Sequence, residues 1–246
     1  MKWAVELDQV RMPMEGGEQP AELALTVPPG EFLALVGPNR SGKSLILKLC
    51  VGLAACEEGT VRVLDRDLAT LDDEELSQLR QRIGVVLQPP GLRSNMTVYT
   101  NVALPIVYHT GVDYADLRDR VMPVLEALGL EARSEYFPAQ LTVGEARCVA
   151  LARALIMNPE LLLVDELTAG LDAEAVLRVE RMLMEYRRIH RMTMLVTMHS
   201  PSALLQRADR IAFVRGGRIE VMGRYAELAE RPVGALAPYL TDRPAF

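Results

Sequence analysis

Eight residues, Gly37-Pro38-Asn39-Arg40-Ser41-Gly42-Lys43-Ser44, follow the spacing G-x-x-x-x-G-K-[ST]. The chemistry that suits this spacing is phosphate binding. Gly37 and Gly42 let the backbone bend tightly, so that successive N–H groups point at phosphate oxygens. A helix starting near Ser41 adds unpaired N–H groups and the positive end of its dipole. Lys43 sets an ammonium between the outer phosphates, and the Ser44 hydroxyl is a ligand for Mg²⁺. All eight residues are candidate nucleotide contacts. Their flanks agree: Glu31–Val36 is an apolar run of strand length, and Leu45–Cys50 has the pattern of a helix. Strand, glycine-rich loop and helix form the context the motif requires.

A second cluster lies far along the chain. Leu161-Leu162-Leu163-Val164 is an apolar strand that ends in Asp165 and Glu166. Asp165 is placed to hold Mg²⁺ opposite Ser44, and Glu166 to polarise the water that attacks the γ-phosphate. His199 follows the strand Met194–Thr197, at the edge where ligands collect in parallel sheets. A neutral imidazole there contacts the γ-phosphate and orients the water. His109 and His190 lie in polar and basic stretches and read as surface residues.

The elements that must position these groups are those of an α/β protein. The chain has 246 residues, half of them hydrophobic, which is ample for a core. A net charge of −6 argues against a general nucleic-acid binder. Cys50, Cys56 and Cys148 lack C-x-x-C spacing and read as reduced thiols. Acids within the first eight residues do not fit a signal peptide, and no uncharged apolar run approaches a membrane span. Strands are expected at Ala4–Val10, Leu23–Val27, Gly59–Leu64 and Ile83–Leu87, the last ending at Gln88. Residues 11 to 20 read as a turn region, and the acid run Asp72–Glu75 as the first turn of a helix. From about Thr97 to Gly129 the pattern is helical, and Ile211–Val221 is a hairpin turning at Gly216-Gly217.

These motifs, in this order, resemble the ATPase domain of ATP-binding-cassette transporters, from about Val5 to Gly223. The resemblance implies a P-loop NTPase with a RecA-like core (about 1–88 and 151–224). It also implies an N-terminal antiparallel β subdomain, an inserted helical subdomain (about 89–150) and a C-terminal tail (225–246). It implies that Gln88 senses the γ-phosphate through Mg²⁺, that Leu141-Thr142-Val143-Gly144-Glu145 is the signature motif, that Ala169–Asp172 contacts the dimer partner, and that His199 is the switch histidine. Thr142 and Gly144 then meet the ATP of a second subunit. The family works as a head-to-tail dimer, here most simply a homodimer. It docks on an integral-membrane permease at the cytoplasmic face of the inner membrane and touches the membrane only through that partner.

Two departures from the family pattern stand out. Val143 replaces a glycine, and its branched side chain is expected to restrict the backbone where it approaches phosphate. Glu145 replaces a neutral amide and is expected to repel the nucleotide. Near the first strand, Arg11-Met12-Pro13-Met14 offers no aromatic for adenine, leaving Arg11 to stack on the ring. The segment Met96–Pro105 implies contact with the permease, although its apolar character also suits core. Ile106–Thr110 and the tail Tyr239–Phe246 are similar to the ATPases of Mla/MCE-type phospholipid transporters, so the expected cargo is lipid. The alternatives are a lipoprotein-releasing or solute-import ATPase, or an ATP-dependent scaffold with little turnover.

Overall fold

The structure is a computed structural model that describes residues 2–12, 22–199, 201–230 and 234–240. Most of the expected turn region (13–20), Ser200 after the histidine, and tail residues 241–246 lie outside them. In chain order the elements are β1 (Val5–Arg11), β2 (Glu22–Val27), β3 (Phe32–Val36), α1 (Lys43–Cys50), β4 (Glu58–Val63), β5 (Arg66–Asp67), α2 (Asp73–Gln81) and β6 (Ile83–Val86). They continue with α3 (Val98–Thr110), α4 (Arg118–Ala127), α5 (Val143–Leu155), β7 (Leu161–Val164), α6 (Ala173–His190) and β8 (Thr193–Met198). The chain then adds β9 (Arg210–Arg215), β10 (Arg218–Gly223), α7 (Tyr225–Glu230) and α8 (Ala237–Leu240). They form two compact units, Met1–Arg80 with Leu163–Glu166 and Thr193–Phe246, and Gln81–Leu162 with Leu167–Met192.

The first unit holds an antiparallel sheet in the order β2-β1-β4-β5. Val5 sits opposite Val27 on one side and Val63 on the other. Val5, Leu7, Leu25 and Val27 are buried at alternate positions, the mark of a sheet with one face inward. The same unit holds parallel strands. β3 runs between β8 and β9, with Leu35 level with Thr197 and with Ala212. Every residue of β3 and β8 is buried, as in strands of a sheet covered on both faces. Each buried aliphatic side chain contributes about 1.5–3 kcal/mol. β10 returns antiparallel to β9 through Gly216 and Gly217, whose φ values of 52° and 74° suit a primed hairpin turn. The acid run does open α2: the amide of Glu75 donates to Asp72 Oδ1 at 2.8 Å.

In the second unit, the Leu161–Leu162 end of β7 lies beside the segment leading into β6. The amide of Glu160 donates to Arg82 O at 2.9 Å, and the Arg82 guanidinium meets the Glu160 carboxylate at 2.6 Å. The helices α3 and α4 bury one face each, and α5 is enclosed on nearly all sides, with Arg147–Ala152 buried in succession. On α3 the buried residues are Val98, Val102, Ala103 and Ile106, together with Asn101, which is wholly enclosed. Asn101 survives burial because its amide is satisfied: it accepts from Arg93 N at 2.8 Å and donates to the carbonyls of Arg93, Met96 and Thr97. Within the Met96–Pro105 segment Val98, Val102 and Ala103 are therefore core of this unit, and Met96, Tyr99, Leu104 and Pro105 are half-buried. Exposed apolar surface on this element begins at Tyr108.

Candidate functional site

The glycine loop lies between β3 and α1. Gly37 has φ +152°, and a Cβ there would strike the carbonyl oxygen of Val214 on β9. Gly42, at φ +101°, is the residue from which α1 starts. The loop thus rests on the β9–β10 hairpin, and the buried amide of Gly217 donates to Ser41 O at 3.0 Å. Lys43 is buried and folds back over the loop. Its ammonium donates to Gly37 O at 2.8 Å, Pro38 O at 2.7 Å and Ser41 Oγ at 3.3 Å. Burial pushes its pKa below the ordinary 10.5, and the carboxylates of Glu166 and Asp165 pull it back up. A cation so placed, ringed by loop oxygens, is preorganised for an anionic ligand.

The strand-end carboxylates meet this loop. Ser44 Oγ donates to Asp165 Oδ1 at 3.0 Å, so the hydroxyl and the buried carboxylate share one spot. One carboxylate and one hydroxyl fit Mg²⁺ that arrives with phosphate oxygens of its own. Among the described residues no cluster of three or more His, Cys, Asp or Glu is arranged to hold a metal. Glu166 follows in a left-handed conformation, φ +52°, and its carboxylate lies 3.5 Å from His199 Nδ1. The structure thus brings Lys43, Ser44, Asp165, Glu166 and His199 together within the first unit.

Thr197 was not legible as a site residue. Its hydroxyl donates to Asp165 Oδ1 at 2.6 Å and accepts the Glu166 amide at 2.9 Å. Arg11 is paired with Glu58 at 2.9 Å on the neighbouring strand, so stacking on adenine competes with an ion pair. Met12 is buried, near Gly42.

The second unit carries the remaining expected residues. Gln88 is exposed, two residues past β6. The loop after it is fastened by Arg153 of α5, which donates to Gly91 O and Pro90 O, each at 2.8 Å. Asp172 caps α6, accepting from the Ala175 amide at 2.8 Å. At the head of α5, a Cβ on Gly144 would strike Gly170 O, so only glycine allows this approach.

Both departures in the signature behave differently from expectation. Val143 is the first residue of α5 with an ordinary helical backbone, so its branching imposes no conformational obstacle; the side chain is simply 70% exposed. Glu145 does not stand free to repel an anion. It closes a capping box, accepting the Thr142 amide at 2.8 Å while its own amide donates to Thr142 Oγ1 at 3.2 Å. Arg133 adds a contact at 3.1 Å. The Thr142 amide, then Arg133, hold the Glu145 carboxyl below the ordinary 4.5. Nothing in the five-residue motif foretells Arg133, which ends a separate short 3-10 helix, Glu131–Arg133.

The ABC transporter family profile matches residues 21–169. Methionine import ATP-binding protein MetN 1 of Acinetobacter baylyi is 33% identical over 212 residues, covering 86% of this chain and 59% of that protein. MetN of Clostridium tetani is 31% identical over 215 residues, covering 87% and 67%. The chain thus spans about three fifths of the first relative's length. Among solved structures, the dimeric, post-hydrolysis ATP-binding cassette MJ0796 bound to ADP and Pi superposes with a TM-score of 0.83 at 29% identity, covering 89% of this chain and 98% of that one. The structure of cbiO1 from Clostridium perfringens shares the fold, with a TM-score of 0.77 at 23% identity over 94% and 96% of the two chains. The two MetN relatives are named for methionine import, and the lipid cargo expected from Ile106–Thr110 and the tail finds no support in them. The matched residues include both the glycine loop and the carboxylate pair, and the chain belongs to the ABC transporter family.

Proposed function

We propose that this chain binds and hydrolyses ATP to drive a membrane importer of a small solute. The observation that carries the reading is one hydrogen-bonded set, Ser44, Asp165, Thr197 and Glu166, beside the buried ammonium of Lys43. Magnesium, when bound, neutralises charge on the outer phosphates. Ser44 and Asp165 supply oxygen ligands to it, with Gln88 as a further one. Glu166 orients a water for in-line attack on the γ-phosphate, and His199 steadies that carboxylate. Lys43 and the N–H groups from Asn39 to Ser44 take up the charge on the transferred group.

The chain acts as a pair, most simply of identical copies. Thr142 and Gly144 receive the γ-phosphate held by the other copy, and Ala169–Asp172 lies at their contact. For these residues and for Gln88 the support is motif order and the dimeric state of MJ0796. The division into a core (about 1–88 and 151–224) and a helical subdomain (about 89–150) belongs to the same reading. Among the described residues no helix is long and apolar enough to cross a membrane. Attachment at the cytoplasmic face then runs through a separate integral-membrane permease. The relatives' names favour an amino-acid-like cargo over a lipid.

The exposed Val143 favours a second reading, a nucleotide-dependent scaffold with little turnover. Steady-state phosphate release by the purified chain, with Glu166→Gln as control, separates the two. Release well above the control supports hydrolysis, and equal rates retire it. Co-purification with a solute-importer permease supports the cargo class; a permease accompanied by a lipid-binding partner overturns it.

A further inference from the structure

β8 carries two buried threonines in an otherwise apolar strand, Thr193 and Thr197. A buried hydroxyl needs partners, so each threonine identifies what it was placed to hold. Thr193 accepts the Gly30 amide at 2.9 Å, which fixes a turn far from the carboxylates. Thr197 is different. It is wholly buried, level with Leu35 of β3, and both of its partners belong to the carboxylate pair. The Glu166 amide can only donate, so Thr197 Oγ1 accepts it at 2.9 Å. The single hydroxyl proton is then committed to Asp165 Oδ1, at 2.6 Å.

We propose that Thr197 is a positioning residue that holds Asp165 and Glu166 in one fixed arrangement: one hydroxyl aims the metal-binding carboxylate and pins the backbone from which the water-orienting carboxylate projects. The inference rests on the ATP-hydrolysing reading above. Two further observations support it. Glu166 has φ +52°, a conformation that a side chain other than glycine keeps only where its surroundings hold it. Its amide is held by Thr197, so the threonine helps keep the Glu166 carboxylate 3.5 Å from His199 Nδ1. Asp165 Oδ1 also accepts from Ser44 Oγ at 3.0 Å, so Thr197 connects the loop serine, both carboxylates and, two residues on and just past the end of its strand, the histidine. Threonine suits the task better than serine. Its β-branch restricts χ1, which keeps the hydroxyl aimed, and its methyl packs in the apolar strand.

Thr197→Val keeps the shape and removes the hydroxyl, Thr197→Ala removes both hydroxyl and methyl, and Thr197→Ser keeps the hydroxyl alone. In the purified full chain, Thr197→Val and Thr197→Ala are expected to lower kcat roughly 100-fold, with KM for ATP within about threefold, because small displacements of reacting groups cost that much. Thr197→Ser is expected to recover kcat to within about threefold, since the hydroxyl alone carries the two bonds. A readout without turnover accompanies these. Calorimetry of ADP with Mg²⁺ and with chelator gives the gain in affinity due to the metal, and that gain should fall at least about tenfold without the hydroxyl, for loss of one bond to a charged ligand. A purely structural role would lower melting temperature and spare the kcat/KM split and the magnesium gain. Should Thr197→Val fail to fold, Thr197→Ala decides, its fold certified by ADP binding in chelator. The proposal is overturned if a folded hydroxyl-free variant keeps kcat within twofold and an unchanged magnesium gain, or if Thr197→Ser is as slow as Thr197→Val. If the wild type releases phosphate no faster than Glu166→Gln, the hydrolytic reading is what fails, and the magnesium gain still decides whether Thr197 orders Asp165.

Discussion

Arg133 and Glu145 face each other at 3.1 Å at the head of the signature helix, where the motif alone shows an unbalanced carboxylate. The carboxylate is also consumed by the Thr142 amide, so its charge serves its own helix end. Because the folded-state pKa is depressed, Glu145 contributes stability above the ordinary value of 4.5 and loses it as pH falls through the folded value. Glu145→Gln should therefore flatten the loss of stability between neutral pH and the acid range, read from urea midpoints across that range. The ion pair is partly exposed and worth at most about 1 kcal/mol, so Arg133→Ala should shift the neutral-pH midpoint only slightly. A wild-type acid limb as flat as that of Glu145→Gln would contradict the assignment.

Thr142 caps α5 through its hydroxyl, and Thr142→Ala should cost about 1 kcal/mol in chemical denaturation. Thr142→Ser should cost far less, because the cap survives. Equal losses in the two variants would mean the cap contributes nothing.

Val143→Gly restores the small residue of the family pattern at an exposed site. Removing the side chain clears the approach to the head of α5, and the helix tolerates glycine there at a cost of about 0.5–1 kcal/mol. Sedimentation of the Glu166→Gln background with ATP should show more dimer when Val143→Gly is added. An unchanged monomer–dimer ratio would count against a steric role for Val143.

Lys43→Ala should weaken nucleotide binding by roughly a hundredfold in calorimetry, the scale of losing charge-assisted hydrogen bonds. The buried carbonyl of Gly37 and the part-buried carbonyl of Pro38 lose their donor in the same substitution, so a lower melting temperature should accompany the loss. Unaltered ATP binding would remove the basis of the functional reading.

Of the three free thiols, only Cys56 is partly exposed. Burial pushes Cys50 up to about 12 and Cys148 up to about 11. Since the thiolate is the reactive form, alkylation near pH 8 should label Cys56 alone until the chain unfolds. Mass spectrometry of the labelled peptides checks this, and early labelling of Cys50 would contradict its burial.

Much of the core was legible because β3 and β7 are uninterrupted apolar runs and β8 is apolar but for Thr193 and Thr197, a pattern that suits fully covered strands. The glycine loop and Asp165-Glu166 were legible because phosphate and metal chemistry demands those residue types at those spacings. Thr197 was not, since threonine in a strand reads as ordinary β-branched filler until its hydroxyl partners are seen. Arg133 was hidden for another reason: its meeting with Glu145 depends on how the intervening loop folds, which no local pattern encodes. The same holds for Val143, whose effect on the backbone could be judged only once the start of α5 was placed.

The hairpin beneath the glycine loop has a practical consequence. Gly216-Gly217 looks from its composition like a convenient splice point for a tag or reporter. Yet Gly217 is buried and bonded to Ser41 O, and the carbonyl of Val214 occupies the space a side chain on Gly37 would need. An insertion at that turn would disturb the floor on which the first motif of the chain is laid, and a fusion made there would be mute for reasons that have nothing to do with its cargo.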